Sequence, residues 1–253
     1  MPVGCSSSTW RGAGRGRGGG GGGPVGGGAP PPPPPPPPRR EAREPLQLLL
    51  GSWPFRTVGL EVRSGVFIPR PETEVVAGVA IAAARDAQLV VDLCTGAGAI
   101  AAAVAAETRV PRIIATDVDP AAVDLARRNL RPWSGRVEVR PGDLFDPLAD
   151  VAGSIDVLVA NPPYLPDEPR EPEVANHDPV HALVGGPDGH EIVHGILDAA
   201  PSLVRAGGTV VVEIDDRKGP SALERARAAG LVDVEIVRDL TGRDRAVRGH
   251  IRG

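Results

Sequence analysis

From residue 89 onward the chain alternates between short apolar runs and longer stretches with helical spacing. Leu89–Asp92, Arg112–Asp117, Val137–Arg140, Ile155–Ala160 and Thr209–Ile214 are brief runs dominated by Val, Ile and Leu, as in strands covered on both faces. Between and after them the spacing predicts helices over 99–107, 120–130, 189–203 and 220–229. Pro120 stands where a first-turn proline belongs. Gly207-Gly208 and Gly230 read as stops for the two later helices. Val232–Val237 and Arg245–His250 read as a closing hairpin. Ahead of this region, Thr57–Arg63 alternates like a hairpin strand, and Pro45–Leu50 is a short apolar patch. Val66–Pro71 is a stiff loop, because each proline biases its predecessor toward extended backbone. Thr73 is an N-cap candidate for a helix from Glu74 to about Ala84, with valines and alanines on its buried face.

Strands alternating with helices predict an α/β fold: a seven-stranded, mostly parallel, Rossmann-like sheet ending in an antiparallel hairpin. Ligands of such sheets bind beyond the carboxyl ends of the strands. Asp92, Asp117, Asp143 and Asn161 all lie at or just past predicted strand ends, so they converge on one rim.

The first 43 residues do not share this pattern. They hold Gly18–Gly23, Gly26–Gly28 and nine consecutive prolines from Pro30 to Pro38, with almost no apolar side chain to offset the entropy of ordering them. Disorder is the expectation there, with a short remnant and lid segment over 44–70 and the main domain over 71–253. Roughly 200 residues remain to fold, enough for a full core. A net charge of -4 and a pI near 5.8 argue against a broad nucleic-acid footprint, so no stable nucleic-acid partner is expected. The arm itself is basic (Arg11, Arg15, Arg17, Arg39, Arg40). Cys5 and Cys94 make neither a disulfide framework nor a metal cluster, so no metal and a reducing, cytoplasmic compartment are expected. No run is long enough to span a bilayer, and no signal peptide is seen. A monomer is expected.

Asp92-Leu-Cys-Thr-Gly-Ala-Gly98 reads as a strand end, a tight turn and a helix start. Gly96 and Gly98 let the backbone turn sharply and approach a ligand closely. A dinucleotide fingerprint wants a further glycine where Ala101 stands, and no Gly-Lys-Ser/Thr follows as in a phosphate loop. Asp117 is placed to accept both ribose hydroxyls of an adenosine group; a helix cap is the alternative. Asp92 favours a sulfonium cofactor, which tolerates a carboxylate near its amino-acid portion where a pyrophosphate is repelled. Asp143 is placed to accept from the adenine amine, with Leu144 flanking the base; a turn residue is the alternative.

Asn161-Pro162-Pro163-Tyr164 directly follows the fourth strand. An amide nitrogen is a poor nucleophile, and its two hydrogens need acceptors. The Asn161 side-chain oxygen can take one and the Pro162 carbonyl the other. The prolines fix φ and so preorganise these acceptors, while Tyr164 can stack on a planar acceptor group. Together these features point to methyl transfer from S-adenosylmethionine to an amide or amino nitrogen, with positioning supplying much of the rate.

The sequence resembles the HemK/PrmC family of protein-(glutamine-N5) methyltransferases. The likeness rests on Phe67-Ile-Pro-Arg-Pro-Glu-Thr-Glu74, the Asp92–Ile100 motif, Asn161–Tyr164, Asp178-Pro-Val-His-Ala-Leu183, Val204–Gly208 and Val211-Val-Glu213. It implies a class I S-adenosylmethionine-dependent methyltransferase fold and transfer to the glutamine of the Gly-Gly-Gln motif in a peptide chain release factor. It further implies that Thr73 and Glu74 lie near the cofactor and that Cys94, Thr95, Val118 and Asn161 join the cofactor site. Phe67, Pro163 and Glu213 would join Asn161, Pro162 and Tyr164 beside the substrate. Asn-Pro-Pro-Tyr alone is shared with adenine-N6 and guanine-N2 methyltransferases, which is the enzymatic alternative; a cofactor-binding protein without turnover is the other. Family members usually begin with a helical domain, where this chain has the Gly/Pro arm. Cys94 stands where the family usually has glycine. For Arg70 and Glu72 an ordinary surface ion pair is the alternative.

Overall fold

The computed structural model describes residues 43–168 and 177–253; the expectation of disorder over 1–43 falls, but for Arg43, outside them. A five-residue helix α1 (Leu46–Leu50) leads into a two-stranded antiparallel sheet of β1 (Ser52–Phe55) and β2 (Val58–Glu61). The Thr57–Arg63 run does form a hairpin strand, but its partner Ser-Trp-Pro-Phe has no strand pattern. Pro54 is accommodated because a two-stranded sheet consists only of edges.

Then come α2 (Thr73–Ala83), β3 (Leu89–Leu93), α3 (Ala99–Glu107), β4 (Arg112–Asp117), α4 (Pro120–Asn129), β5 (Val137–Pro141) and β6 (Ile155–Ala160). The chain closes with α5 (Glu191–Leu203), β7 (Val204–Glu213), α6 (Gly219–Ala228), β8 (Leu231–Arg238) and β9 (Asp244–Ile251). The seven strands β3–β9 form one sheet in the order β5-β4-β3-β6-β7-β9-β8. β5 through β7 run parallel, and β9 pairs antiparallel with both β7 and β8. The predicted α/β sheet with its antiparallel C-terminal pair is therefore present, with β9 inserted between β7 and β8.

Both faces of the sheet are covered, which is why the central strands are mostly apolar. Val90, Ile113 and Ala115 pack toward α2 and α3, while Leu89, Val91, Leu93 and Ile114 pack toward α5 and α6. Six of the nine residues of α3 are alanine and the helix is buried along nearly its whole length, letting it lie close to the sheet. Asp119 caps α4 by accepting from the Ala121 amide at 2.9 Å, with Pro120 in the first turn as expected.

Two expected boundaries move. Thr73 is not an N-cap: it is the first residue of α2, and the capping position, Glu72, makes no side-chain cap. The Thr73 hydroxyl has partners on β7 and in the loop after β6 instead. Gly207-Gly208 does not end a helix, because β7 already begins at Val204 and the glycines sit inside it. There the β6–β7 register shifts between Ile155 and Val157, and a Cβ at Gly208 would meet Val204 Cγ1 at 2.5 Å.

Candidate active site

At the carboxyl ends of β3, β4, β5 and β6 lies a cavity of about 620 Å³, large enough for a nucleoside-sized ligand. Every site residue singled out in the sequence lines it except Glu74, Gly98 and Glu213. Gly98, at φ 83°, packs its α-carbon side against Leu130 of the α4 end instead. Glu74 also turns away, accepting from the Arg56 backbone amide at 3.1 Å.

The turn after β3 is built around Asp92, which is 1% exposed. Its Oδ2 accepts from the Thr95 hydroxyl at 2.6 Å and the Ala101 amide at 3.0 Å. Its Oδ1 is buried and has no partner among the described residues. Burial pushes this carboxyl up to about 7, and the charge of Asp117 adds to the rise. Cys94 holds φ at 54°, and Leu144 holds 37°. Such backbone is strained for residues other than glycine and tends to persist where function requires it. It also accounts for the glycine usual at the Cys94 position. Asp117 is not a helix cap: its Oδ2 accepts from the Gly96 amide at 2.8 Å and its Oδ1 from the Asp119 amide at 2.9 Å. Each oxygen keeps a lone pair for a neighbouring diol. Burial raises this carboxyl as well.

The segment after β6 rests on a glycine seat. Leu165 N–H donates to Leu183 O at 2.9 Å and Gly185 N–H to Leu165 O at 3.0 Å. A Cβ at Gly185 would lie 2.3 Å from Pro163 O, and one at Gly189 the same distance from Tyr164 O. Asn161 Nδ2 donates to Thr73 Oγ1 at 3.2 Å, and Thr73 Oγ1 donates to Glu213 Oε1 at 3.3 Å. The Tyr164 hydroxyl donates to the same Glu213 oxygen at 3.2 Å. Glu213 is fully buried beneath this loop rather than facing the cavity, and burial pushes its carboxyl up to about 7. Burial also raises the Tyr164 hydroxyl, with the Glu213 charge adding to it.

The opposite wall is the Val66–Pro71 loop. Arg70 does not pair with Glu72. Its Nη2 reaches Asp178 Oδ2 at 2.5 Å, and Asp178 Oδ1 accepts from the Ile68 amide at 3.4 Å. The Arg70 guanidinium carbon also lies 5.2 Å from the Phe67 ring centre, within cation–π range.

A family model for the methyltransferase small domain matches residues 79–182. The release factor glutamine methyltransferase of Mycolicibacterium smegmatis is 45% identical over 214 residues, covering 82% of this chain and 75% of that protein. This chain belongs to the release factor glutamine methyltransferase family. The namesake from Mycobacterium tuberculosis is 43% identical over 82% of this chain and 71% of its own length. A methyltransferase from Pyrococcus furiosus shares the fold, with a TM-score of 0.56 at 19% identity over 77% of this chain and 89% of its own.

For this member of the release factor glutamine methyltransferase family, the structure supplies what the sequence left unread. Asp178 stood in a matching motif without a role; here it ties the two walls of the cavity together. Gly185 and Gly189 carried no local signal, since their need is a close approach in space. Among the described residues no helix is long and apolar enough to cross a membrane, and no group of three His, Cys, Asp or Glu side chains could hold a metal ion.

Proposed function

We propose that this enzyme transfers a methyl group from S-adenosylmethionine to the side-chain nitrogen N5 of a glutamine, in the Gly-Gly-Gln motif of a peptide chain release factor. The reading rests on one observation: the Asn161–Tyr164 cradle opens into the same cavity as Asp92, Asp117 and Asp143. The residues fit the cofactor. The unpartnered Asp92 Oδ1 suits an ammonium or sulfonium charge, and the two Asp117 oxygens suit a ribose diol. Asp143 and Leu144 suit the adenine edge and face.

S-adenosylmethionine supplies an electrophilic methyl carbon, activated by the positive sulfur. The chain's own groups do the rest. Asn161 Oδ1 accepts one N–H of the glutamine amide and the Pro162 carbonyl accepts the other. Both acceptors raise electron density on a nitrogen whose lone pair is otherwise drawn into its carbonyl. The Tyr164 ring, held at its hydroxyl by Glu213, supports the amide plane, and Phe67 covers the approach. The N–C bond would form as the sulfur–methyl bond breaks, with S-adenosylhomocysteine as the leaving group, and the amide proton would then pass to solvent water. Because the acceptors are fixed beforehand, little reorganisation is needed during the reaction.

The test uses methyl-labelled cofactor with purified release factors, intact and with the motif glutamine changed to alanine. Label is expected on the intact protein only, located at the glutamine by mass spectrometry. Label that persists in the alanine variant rules out this acceptor. Asn161→Ala is expected to abolish transfer while cofactor affinity stays within about three-fold. A collapse of affinity would assign Asn161 to the cofactor instead.

A further inference from the structure

We infer that Thr73 and Glu213 are positioning residues that fix which end of the Asn161 amide faces the substrate. This rests on the glutamine reading above and departs from the roles the family resemblance gave them, as a cofactor contact and a channel residue. An asparagine side chain presents a donor at one end and an acceptor at the other, and the two ends have nearly the same shape. Methyl transfer to an amide NH2 requires the acceptor end. With the donor end forward, two N–H groups would confront each other. Something must therefore break the symmetry.

The hydrogen-bond order in the structure does so. Thr73 has a single hydroxyl proton, and Glu213 Oε1 takes it at 3.3 Å. Only a lone pair of Thr73 Oγ1 then remains toward Asn161, and it receives Nδ2 at 3.2 Å. Asn161 Oδ1 is left on the other side, and among the described residues it accepts no hydrogen bond. Glu213 is 0% exposed and Thr73 2%, so water does not compete for either group. Tyr164 donates its proton to the same oxygen at 3.2 Å. One carboxylate oxygen thus orders both polar members of the cradle. Without Glu213, the Thr73 hydroxyl is free to rotate and donate to Asn161 Oδ1, which turns the amide around. Neither Thr73 nor Glu213 needs to touch the reacting atoms for this.

The test compares Thr73→Val, Thr73→Ser, Glu213→Leu and Glu213→Gln in the full chain. Valine keeps the shape and removes the hydroxyl; serine keeps the hydroxyl. Glutamine keeps an acceptor oxygen where leucine has none. Thr73→Val and Glu213→Leu are expected to lower kcat by about 10- to 100-fold. KM for the release factor and the cofactor Kd by calorimetry are expected to stay within about three-fold. Thr73→Ser and Glu213→Gln are expected to recover most of that loss. A second readout needs no turnover: the Asn161 side-chain NH2 resonances in cofactor-loaded protein, which exchange slowly in the wild type and fast in Thr73→Val. Serine and valine variants equally impaired would make Thr73 a packing residue and overturn the inference. So would a Thr73→Val variant with a weakened cofactor Kd and intact kcat. If the wild type fails to methylate any Gly-Gly-Gln protein, the glutamine reading falls alone, and the exchange of the Asn161 amide still decides this one.

Discussion

A single methyl group at Gly185 tests whether the seat beneath the cradle sets its geometry. In Gly185→Ala the new Cβ would lie 2.3 Å from Pro163 O, 2.9 Å from Pro163 C and 3.1 Å from Tyr164 Cα. Carbon–oxygen contacts settle at about 3.3 Å, so the methyl is about 1 Å too close to backbone that no rotamer change can move. Relief comes in one of two ways. The 183–185 segment backs off and loses its two hydrogen bonds to Leu165, or the Pro163 peptide rides up into the cavity. Overpacking of this kind costs about 1–3 kcal/mol. Displacing the acceptor groups by about 1 Å costs on the order of 100-fold in rate. The expected result is a kcat about 100-fold lower, with cofactor affinity within about three-fold, because Asp92 and Asp117 sit on other strand ends. Gly195→Ala is the control: it lies within α5 with no atom near its added Cβ, and it is expected to keep full activity and gain about 0.5–1 kcal/mol. Steady-state methylation, calorimetric cofactor titration and thermal unfolding of the three proteins decide the matter. A Gly185→Ala enzyme with kcat within about three-fold of wild type would refute the reasoning.

Glu213 also predicts a pH dependence of stability. Its folded pKa rises from 4.5 to about 7, so the folded state keeps this proton to higher pH than the unfolded chain. That contribution is complete below the unfolded value and is lost as pH rises through 7, amounting to about 3 kcal/mol at most. Asp92 acts with the same sign, so Glu213→Gln is expected to flatten the fall in unfolding free energy between acid and neutral pH only in part; identical slopes would contradict the assignment. Asp117→Asn is expected to weaken cofactor binding by about 10-fold or more with kcat at saturation little changed, and calorimetry showing less than about a two-fold loss would remove Asp117 from the site. Asp178→Ala leaves Arg70 and the Ile68 amide without their acceptor, so a loss of about 1–3 kcal/mol and a raised KM for the release factor are expected. Denaturant titration and steady-state kinetics check both.

The central sheet was legible because strands buried on both faces are apolar at most positions, and their polar ends then stand out. Asp92, Asp117, Asp143 and Asn161 were found that way, and all four line the cavity. What escaped the sequence depends on contacts between distant segments. Thr73 has the look of a cap, and only the arrival of β7 turns its hydroxyl inward to Glu213. Glu213 reads as a strand-end acid facing a ligand, yet α2 covers it. Arg70 finds Asp178 rather than the nearer Glu72 across 108 positions of chain. β1 was hidden by Pro54, which no interior strand would carry. The glycines under the cradle look like ordinary turn residues, since nothing local tells close approach from a simple bend.

The Thr73–Glu213 bond has a kinetic consequence. It spans 140 positions and the Asn161–Thr73 bond 88, and contacts closing such long loops form late in folding. On the ribosome α2 emerges well before β7, which follows it along the chain. A chain with a half-built sheet therefore has no means of orienting its cradle, however well its cofactor turn has formed. Turnover reports completion of the whole domain, and in refolding experiments the return of catalysis will lag behind the return of helical circular dichroism.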